Sequence, residues 1–442
     1  MSRSASEPGP RFAVVGNPEN RRVTLFAEAV ASAGLPAPRV VPWSRVLRDG
    51  GAVFAPDETV RLDSPGEDAG VDLLLRGVDD PTRVEGTARW YDRFLTAVRT
   101  LEGGHRLDDP DDLAVLFDKR RCHAALAAAG VPVPFSPTSA HAPAPATAPT
   151  PPAPPGTDPP TAQGTTTSQA ATTSQAATTP QAATAADAPA VVHGWDDVRR
   201  LMRAHRLPRV FVKLAHGSSA SGVLAVESSP TGRVRATTSV ELAPDGALYN
   251  SLRVRRYEHE ADLAAIVDTL APDGLHLERW LPKASQHGRA ADLRVLVVAG
   301  RATHAVVRTS RQPMTNLHLG GARGDLGAVR HAVEAAGGSW AEALGICERA
   351  AACFPGTLCV GVDLLPVTGW RQFAVGEVNA FGDLLPRLTG LPGSGAEHLD
   401  TYGAQIAAVP RGRPAPARPP HGQPRSHPYG HPHRTEEQHA GA

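Results

Sequence analysis

Three oxygen-bearing side chains stand close together within residues 359–383, CVGVDLLPVTGWRQFAVGEVNAFGD. Asp363 lies in one short apolar run, and Glu377 and Asn379 lie two residues apart in the next. Side chains at positions i and i+2 of a strand share a face. If the runs pair antiparallel with Asp363 opposite Glu377, the connection is a three-residue loop, 369–371, which is a common hairpin length. The three oxygens then converge on one point.

Two interpretations of this hairpin stay open from the residues alone. Two carboxylates without a nearby Lys or Arg are too costly to bury together unless a cation neutralises them. Oxygen ligands suit a hard ion, and Mg²⁺ bridging nucleotide phosphates is a common occupant of such a site. The alternative is an ordinary β-hairpin with polar residues on its solvent face.

A second group of residues has the composition of an anion site. Lys213 lies inside an apolar strand-like run, VFVKLA, where a charge is costly unless it is paired. Residues 217–222 (GSSASG) then contain only Gly, Ser and Ala. Such a turn lets backbone N–H groups and hydroxyls approach a phosphate closely, although a flexible hairpin tip is the alternative. The spacing matches neither a Walker A loop nor a GxGxxG fingerprint.

The segments before residue 115 alternate between strand-like and helix-like patterns. Residues 12–15 predict a buried strand, 25–33 a helix, and 71–75 (VDLLL) another buried strand. This alternation predicts a small parallel α/β domain, with ligand contacts at the carboxyl ends of its strands. A further helix is predicted over residues 119–129, where Gly130 follows.

Antiparallel strands are predicted for most of the chain after residue 205. Residues 209–228 predict strand–turn–strand, and 275–281 predict a strand that ends near Glu278. Residues 291–310 predict a hairpin that turns at 299–300, and 339–354 predict a helix that leads into the Asp363 hairpin.

Three stretches are predicted to be disordered. They are a leader (1–10), an insertion rich in Pro, Ala and Thr (137–190) and a tail rich in Pro, His and Arg (409–442). The insertion has no Lys, Arg, aromatic or large aliphatic residue, so it cannot bury enough apolar surface to offset its chain entropy. The folded domains are then residues 11–115 and 116–408.

The overall composition excludes several classes of protein. Lys plus Arg and Asp plus Glu number 45 each, so no net charge indicates a nucleic-acid or membrane partner. No apolar run approaches the ~18 residues that span a bilayer, and the N-terminus has no signal-peptide pattern. The 4 Cys form no CxxC pair. We therefore predict a cytoplasmic protein, with a homo-oligomer left open.

Taken together, the motifs resemble the ATP-grasp superfamily of carboxylate–amine ligases. FDK before AGVPVP, then VFVKLAHGSSASGV, LERWL, DLRVLVV, TNLHLGG and GVDLL with GEVNA occur in that family's order between residues 116 and 388. DLRVLVV and TNLHLGG look most like the ribosomal-protein glutamate ligase and glutathione synthetase branch, and ERWL is similar to the hinge of D-alanine–D-alanine ligase. The resemblance implies a Rossmann-like α/β pre-ATP-grasp domain over residues 11–115. A two-lobed ATP-grasp fold with antiparallel sheets would follow over residues 116–408.

The resemblance also implies which residues bind ATP. They are Lys119 and Lys213 on the phosphates, Gly217, Ser218, Ser219 and Gly222 in a loop closing over them, and Glu278, Arg279, Trp280 and Leu281 in a hinge that receives adenine. The site would lie between the two lobes.

Metal binding and chemistry would fall to the second half of the motif set. Asp363, Glu377 and Asn379 would hold one or two Mg²⁺ ions, with Mn²⁺ as an alternative, while Arg294 and Arg308 would face the γ-phosphate and the substrate carboxylate. The implied reaction converts a carboxylate to an acyl phosphate, from which an amine displaces phosphate to form an amide-like bond. Both substrates are unidentified, with a peptide or an amino acid among the candidates. An ATP-binding regulator without ligase activity and a kinase on the same fold are the alternatives.

Two departures from the family pattern bear on specificity. The family often follows EVN with Ser-Pro-Gly, whereas AFGDLLPRL follows here, so Asp383 and Arg387 could recognise an unusual substrate. The segment LPKASQHGRAAD has no acidic ribose ligand before Asp292.

Overall fold

The computed structural model of the chain describes residues 9–139, 188–217, 221–383 and 385–410. Three β-sheets organise these residues, one parallel and two antiparallel. Most of the predicted leader, insertion and tail lies outside the described residues, as do Ser218 and Ser219.

The first part of the chain builds a parallel sheet with helices on both faces. Its elements are β1 (Arg11–Gly16), α1 (Arg21–Ser32), β2 (Arg39–Pro42), α2 (Trp43–Asp49), β3 (Ala52–Leu62), α3 (Ala69–Arg76), α4 (Thr87–Arg99), β4 (Leu101–Arg106), α5 (Pro110–Leu116) and α6 (Lys119–Ala128). The strand order is β2-β1-β3-β4, with each neighbouring pair parallel. Along β1, residues 12–15 are all buried, as expected for a strand that is covered on both faces.

The prediction of a buried strand at residues 71–75 is wrong, because this segment belongs to α3. The Asp68 carboxylate accepts a hydrogen bond from the Val71 N–H, and Gly77 ends the helix with φ 72°. Val71 and Leu75, four residues apart, are buried, while Leu73 between them is 42% exposed. A short apolar run carries too little periodicity to separate the two structures, and the capping residues decide between them.

The middle of the chain forms an antiparallel sheet in the order β8-β7-β6-β5-β9. Its elements are α7 (Trp195–Ala204), β5 (Arg209–Leu214), β6 (Leu224–Ser228), β7 (Val234–Leu242), β8 (Leu248–Tyr257), α8 (Glu260–Leu270) and β9 (Leu275–Arg279). Helices α7 and α8 share one apolar core with the sheet.

The segment before residue 140 also packs against this sheet. The Thr138 hydroxyl accepts a hydrogen bond from the N–H of Leu277 on β9, 2.9 Å away, and the Ala190 N–H donates to the Pro137 carbonyl over 2.9 Å. Residues at both edges of the predicted insertion are therefore ordered, and Thr138 and Ser139 are buried. Residues 137–139 and 188–190 of the predicted insertion are among the described residues, and the remainder of that prediction lies outside them.

The third sheet is also antiparallel, in the order β13-β12-β11-β14-β15, with β10 paired to β11. Its elements are β10 (Ser285–Gln286), β11 (Arg289–Val298), β12 (Arg301–Ser310), β13 (Ala322–Arg323), α9 (Leu326–Ala335), α10 (Trp340–Ala352), β14 (Cys359–Pro366) and β15 (Phe373–Ala380). Ile346 and Ala350 of α10 are buried in the core that this sheet shares with the parallel sheet.

Helix α11 (Thr401–Ala408) returns to the parallel sheet. Tyr402 and Ile406 join Phe12 of β1 and Phe26 of α1 in one apolar cluster. The Tyr402 and Phe26 rings meet edge to face, with centroids 6.0 Å apart. The core of the first sheet is thus completed by residues from far along the chain.

A parallel α/β unit followed by two lobes of antiparallel sheet confirms the predicted fold class. Within the described residues, no helix is both long and apolar enough to cross a bilayer.

Candidate active site

Strands β14 and β15 pair as predicted, with Asp363 opposite Glu377. Their connection differs from the prediction, because a β-bulge follows Asp363 and Leu364 pairs with Val375. Gly376 is the extra residue, and it shifts the register so that residues 367–372 join the strands. The predicted three-residue loop is therefore wrong, although the register at the carboxylates is right.

A cleft of about 150 Å³ lies between the two antiparallel sheets. Its charged lining consists of Lys119, Lys213, Lys283, Arg294, Arg308, Glu278, Asp292, Asp363 and Glu377. Five cations face four carboxylates, which leaves one net positive charge. The volume is below the roughly 300 Å³ typical of a small-molecule site, and charged side chains that pair with one another line it.

Lys119 connects three parts of the cleft. Its Nζ lies 2.7 Å from the Glu377 carboxylate and 2.5 Å from the Gly217 carbonyl oxygen. On the other antiparallel sheet, Lys213 on β5 pairs with Glu278 on the neighbouring strand β9 at 2.5 Å. Both lysines implied to hold phosphates are therefore in the cleft, each bound to a carboxylate.

The arginines form a second chain of ion pairs. Arg294 Nε on β11 lies 2.5 Å from Asp363, and Arg308 Nη2 on β12 lies 3.1 Å from the same carboxylate. Arg308 Nε also donates to Asp292 over 2.8 Å. The premise that the hairpin carboxylates lack nearby cations is thus wrong, because strand pairing brings arginines from β11 and β12 to their side.

Electrostatics keeps the Lys213–Glu278 pair ionised. Burial alone would raise the pKa of Glu278, but Lys213 and His276 outweigh burial and lower this pKa to about 2. Burial alone would lower the pKa of Lys213, but Glu278 and Glu377 outweigh it, and the pKa of Lys213 is raised. Both groups are therefore charged at neutral pH.

The other buried carboxylates behave in the same way. Burial opposes ionisation of Glu377, but Lys119 and Lys213 lower the pKa of this carboxyl below its ordinary value. Lys283 and Arg308 likewise overcome burial and lower the pKa of Asp292. Glu278, Glu377 and Asp292 are consequently ionised rather than neutral acids in the cleft.

The residues implied to bind a metal provide an all-oxygen donor set. Within the part of the chain that the structure describes, no group of three or more His, Cys, Asp or Glu is arranged to hold a metal ion. Asp363 and Glu377 face each other, and the Asn379 amide nitrogen donates to the Gly361 carbonyl over 3.3 Å, which leaves the amide oxygen for a cation. Two carboxylates and an amide suit Mg²⁺. The ammonium of Lys119 and the guanidinium of Arg294 pair with these two carboxylates.

The hinge segment has an open donor beside an apolar wall. The N–H groups of Arg279 and Trp280 donate to Phe135 and Arg209 carbonyls, whereas the N–H of Leu281 donates to none of the described residues. The Trp280 ring lies 5.3 Å from that of Phe211. The cluster that Trp280 contacts consists of Phe211, Val223, Ala225, Met314 and Leu319. A flat heteroaromatic ring would accept a hydrogen bond from the N–H of Leu281 and pack against this apolar cluster.

The base of the small-residue loop is fixed to the first part of the chain. His216 stacks on Tyr91 of α4 with ring centroids 4.0 Å apart, and its Nδ1 lies 3.1 Å from the Phe117 carbonyl oxygen. Gly217 lines the cleft, and Gly222 ends the loop with φ 66°. Ser218 and Ser219 lie outside the described residues, so their predicted roles stay predictions.

Sequence reasoning missed one cation of the cleft. Lys283 Nζ lies 3.1 Å from Asp292 and 3.0 Å from the Thr315 hydroxyl. It follows the hinge in a polar segment, where no pattern separates it from a surface lysine. Of the two residues singled out for specificity, Asp383 contacts Arg294 at 3.2 Å, whereas Arg387 is exposed and contacts no charged group among the described residues.

Comparisons with known proteins give a loose likeness. No protein-family model matches the sequence, and no curated protein matches it. Among solved structures, the D-cycloserine synthetase DcsG is 16% identical at a TM-score of 0.46, covering 90% of this chain and 98% of that chain. The ATP-grasp ligase PsnB, solved with a precursor variant, Mg and ADP, is 16% identical at 0.42, covering 91% and 98%.

A third similar structure is the macrocyclase MdnC of Microcystis aeruginosa MRC, bound to its precursor peptide MdnA. It is 10% identical at a TM-score of 0.43, covering 89% of this chain and 97% of that chain. These proteins include members of the family that the motifs resemble. Overlaps this loose carry no inference about the site, which rests on the residues of this chain.

Proposed function

We propose that this chain is an ATP-dependent carboxylate–amine ligase of the ATP-grasp type, acting in the cleft between its two antiparallel sheets. The observation that carries the proposal is the charge network of that cleft. Each of its lysines and arginines is paired with a carboxylate, and one positive charge is left over. In such a network the lysines and arginines can exchange their carboxylate partners for a polyphosphate, and the carboxylates can exchange theirs for a metal cation. The net charge of the cleft then changes little.

In the proposed complex the two halves of each ion pair separate. Lys119 and Lys213 hold phosphate oxygens, and Asp363, Glu377 and Asn379 hold Mg²⁺. ATP with Mg²⁺ supplies the phosphoryl group and neutralises its charge when bound. Positioning and electrostatics of this kind are the main contributions a protein makes to phosphoryl transfer.

Arg294 and Arg308 are proposed to orient the reacting groups. An oxygen of the substrate carboxylate bonds to the γ-phosphorus while the bond to the β-phosphate oxygen breaks, which releases ADP. The amine nitrogen then bonds to the acyl carbon, the carbon–oxygen bond to phosphate breaks, and phosphate leaves with the electron pair. The amine gives up its proton, and an amide-like bond remains. Arginines beside each centre favour these steps because negative charge develops on oxygen.

The hinge and the loop complete the proposed site. The N–H of Leu281, which donates to none of the described residues, and the apolar wall at Trp280 suit adenine. The loop that begins at Gly217 is proposed to close over the phosphates and keep water from the acyl phosphate.

Product analysis tests the reaction class. Purified protein is incubated with ATP, Mg²⁺ and a metabolite extract, and ADP and new adducts are measured by mass spectrometry. ADP release that requires both a carboxylate and an amine, with a new amide adduct, is the expected result. A phosphorylated product formed without an amine would instead indicate a kinase, and ATP binding without turnover would indicate a regulator.

The Glu377→Gln variant tests the metal assignment. Glutamine keeps the size of the side chain but removes the charge that Mg²⁺ requires, so turnover should be abolished while the circular dichroism spectrum is unchanged. Asp57→Asn, which alters an exposed pair with Arg11, is the control and should turn over normally. Activity of Glu377→Gln within a few-fold of wild type would disprove the assignment.

A further inference from the structure

A buried histidine lies behind the Lys213–Glu278 pair of the cleft. His276 and Glu278 are two residues apart on β9, so their side chains share one face of the sheet. Lys213 on β5 is the register partner of His276 and lies on the same face. Lys213 and Glu278 line the cleft, whereas His276 is outside the lining and 2% exposed. His276 is therefore placed to act on the cleft through its neighbours.

Each oxygen of the Glu278 carboxylate faces a different nitrogen. Oε1 lies 2.5 Å from Lys213 Nζ, and Oε2 lies 3.5 Å from His276 Nε2. The carboxyl of Glu278 has a pKa of about 2, so it is ionised at neutral pH, and an ionised carboxylate only accepts hydrogen bonds. Nε2 of His276 must therefore carry a hydrogen for this contact to be favourable.

The other ring nitrogen of His276 meets a hydroxyl. Burial outweighs Glu278 and lowers the pKa of His276, so the neutral ring carries a hydrogen on one nitrogen only. With that hydrogen on Nε2, Nδ1 is an acceptor. The Thr138 hydroxyl lies 3.1 Å from Nδ1 and accepts from the Leu277 N–H, so its own hydrogen is available to donate. Thr138 thus favours the tautomer that directs Nε2–H at Glu278.

A second histidine ring packs beside the first. The ring centroid of His123 on α6 lies 5.3 Å from that of His276. His123 Nε2 is 2.6 Å from the Pro134 carbonyl oxygen, which only accepts hydrogen bonds. Burial lowers the pKa of His123 to about 4, so this ring is neutral at pH 7. His123 therefore adds no charge beside Glu278, and it limits the space in which the His276 ring can turn.

We propose that His276 is a positioning residue for nucleotide binding, whose Nε2–H holds the Glu278 carboxylate while Lys213 turns to a phosphate. The inference rests on the proposed ligase function, in which the two halves of this ion pair separate. A buried carboxylate that is left without a donor is costly, and that cost opposes nucleotide binding. Because His276 keeps a donor on Glu278, Lys213 becomes available to the phosphate at a smaller cost. His276 thus contributes to ATP affinity without contacting ATP.

Histidine NMR tests the hydrogen-bond pattern in the free protein. The full chain is labelled with ¹⁵N in its histidine rings, and the His276 signals are those that His276→Gln removes. At pH 7 the nitrogen shifts should show a neutral ring with its hydrogen on Nε2. A ring with its hydrogen on Nδ1, or a charged ring, would overturn the inference. This measurement needs only wild type and His276→Gln, so it holds even where a less conservative variant does not fold.

Nucleotide affinity tests the positioning role without requiring turnover. The non-hydrolysable analogue AMP-PNP is titrated with Mg²⁺ into the full chain and its variants by calorimetry. His276→Leu removes the donor and should weaken binding by about 10-fold or more, as expected for a hydrogen bond to a charged group. His276→Gln offers an amide N–H in place of Nε2–H and should stay within about 3-fold of wild type.

His304→Leu provides the matched control. His304 on β12 is also buried, but it is outside the cleft lining, and its Nε2 lies 3.1 Å from the Leu399 carbonyl oxygen. This variant should lower the melting temperature and leave the affinity for AMP-PNP unchanged, which separates lost packing from lost positioning. Wild-type affinity in His276→Leu, or equal losses in His276→Leu and His276→Gln, would overturn the inference alone. Failure of AMP-PNP to bind wild type would overturn the proposed function and the inference together.

Discussion

Lys213 and Glu278 are each buried, and each charge depends on the other. Their side chains are 13% and 4% exposed. A pair of this kind need not stabilise the fold relative to apolar residues, but the loss of one partner leaves an uncompensated charge in the interior. Such a costly pair is consistent with the proposal that the cleft is built to exchange partners with a ligand.

Glu278→Gln should lower the free energy of unfolding by about 3–5 kcal/mol at pH 7, because Lys213 loses its nearest anion. The pKa of Lys213 should fall, since burial is then opposed mainly by the more distant Glu377. Urea denaturation measures the loss, with Asp57→Asn as an exposed-pair control that should change stability by less than about 1 kcal/mol. Equal effects of the two substitutions would contradict the buried-pair description.

The sequence predicted which side chains meet at the hairpin, because strand alternation and register are local rules. The pairing of Asp363 with Glu377 is therefore confirmed. The same local rules could not predict that Lys119 reaches Glu377, since that contact joins positions 258 residues apart. The premise that these carboxylates have no cation beside them failed for this reason, and the metal stands as a proposal on other grounds.

At the scale of elements, the least accurate predictions lie where composition and packing disagree. The Pro, Ala and Thr-rich segment was bounded by composition, yet Thr138 and Ser139 at its edge are buried. Threonine and serine are common in disordered chains, but they also bond to backbone groups in folded ones. Composition cannot tell these two uses apart. The structure describes the residues up to 139 and from 188 onward, so we predict that a dispensable stretch lies within residues 140–187, outside the described residues.

Replacing residues 141–187 with a short Gly/Ser linker should leave the melting temperature and ATP turnover close to those of wild type, because Pro137 and Ala190 already lie side by side. Thr138→Val should instead cost about 1–3 kcal/mol, since the buried N–H of Leu277 loses its acceptor. Calorimetry and ADP release measure both. A linker variant less stable than Thr138→Val would contradict these boundaries.

Across the whole molecule, a buried polar cluster connects the parallel sheet to the rest of the chain. Arg61 pairs with Asp63 at 2.7 Å and bonds to Gln405 of α11 at 3.3 Å, while Asp108 accepts from the Leu62 N–H. Burial raises the pKa of Asp108 to about 7, because Arg61 offsets it only in part. Asp108 therefore titrates near neutral pH in the folded chain.

Asp108 should make the protein less stable as pH rises from about 4 to about 7. In that range the unfolded chain releases the proton that the folded chain keeps, so the free energy of unfolding falls, by about 1.4 kcal/mol per unit of pKa difference at most. Below this window the carboxyl is protonated in both states and costs nothing. Asp108→Asn removes the titration. As pH rises, the free energy of unfolding of the variant should increase relative to that of wild type. Parallel curves of this free energy against pH for the two proteins would disprove the raised pKa of Asp108.

Helix α11 should be essential to the stability of the parallel unit, although it begins only at residue 401. A chain ending at residue 400 exposes Phe12 and Phe26 and loses Tyr402 and Ile406, which together should cost roughly 5 kcal/mol or more. A chain ending at residue 410 is the control and should melt within about 2 °C of wild type. Similar melting of the two truncations would show that α11 is dispensable.

The return of α11 to the parallel sheet also has a consequence for biosynthesis. The ribosome makes β1 and α1 long before α11, and Thr401 follows Val30 by roughly 20–70 s at about 5–20 residues per second. Throughout that interval the apolar surface of Phe12, Phe26 and Val30 lacks its final cover. The apolar surface of β1 and α1 is therefore covered only after α11 has been made, and it is the nascent-chain surface that chaperones would have to protect.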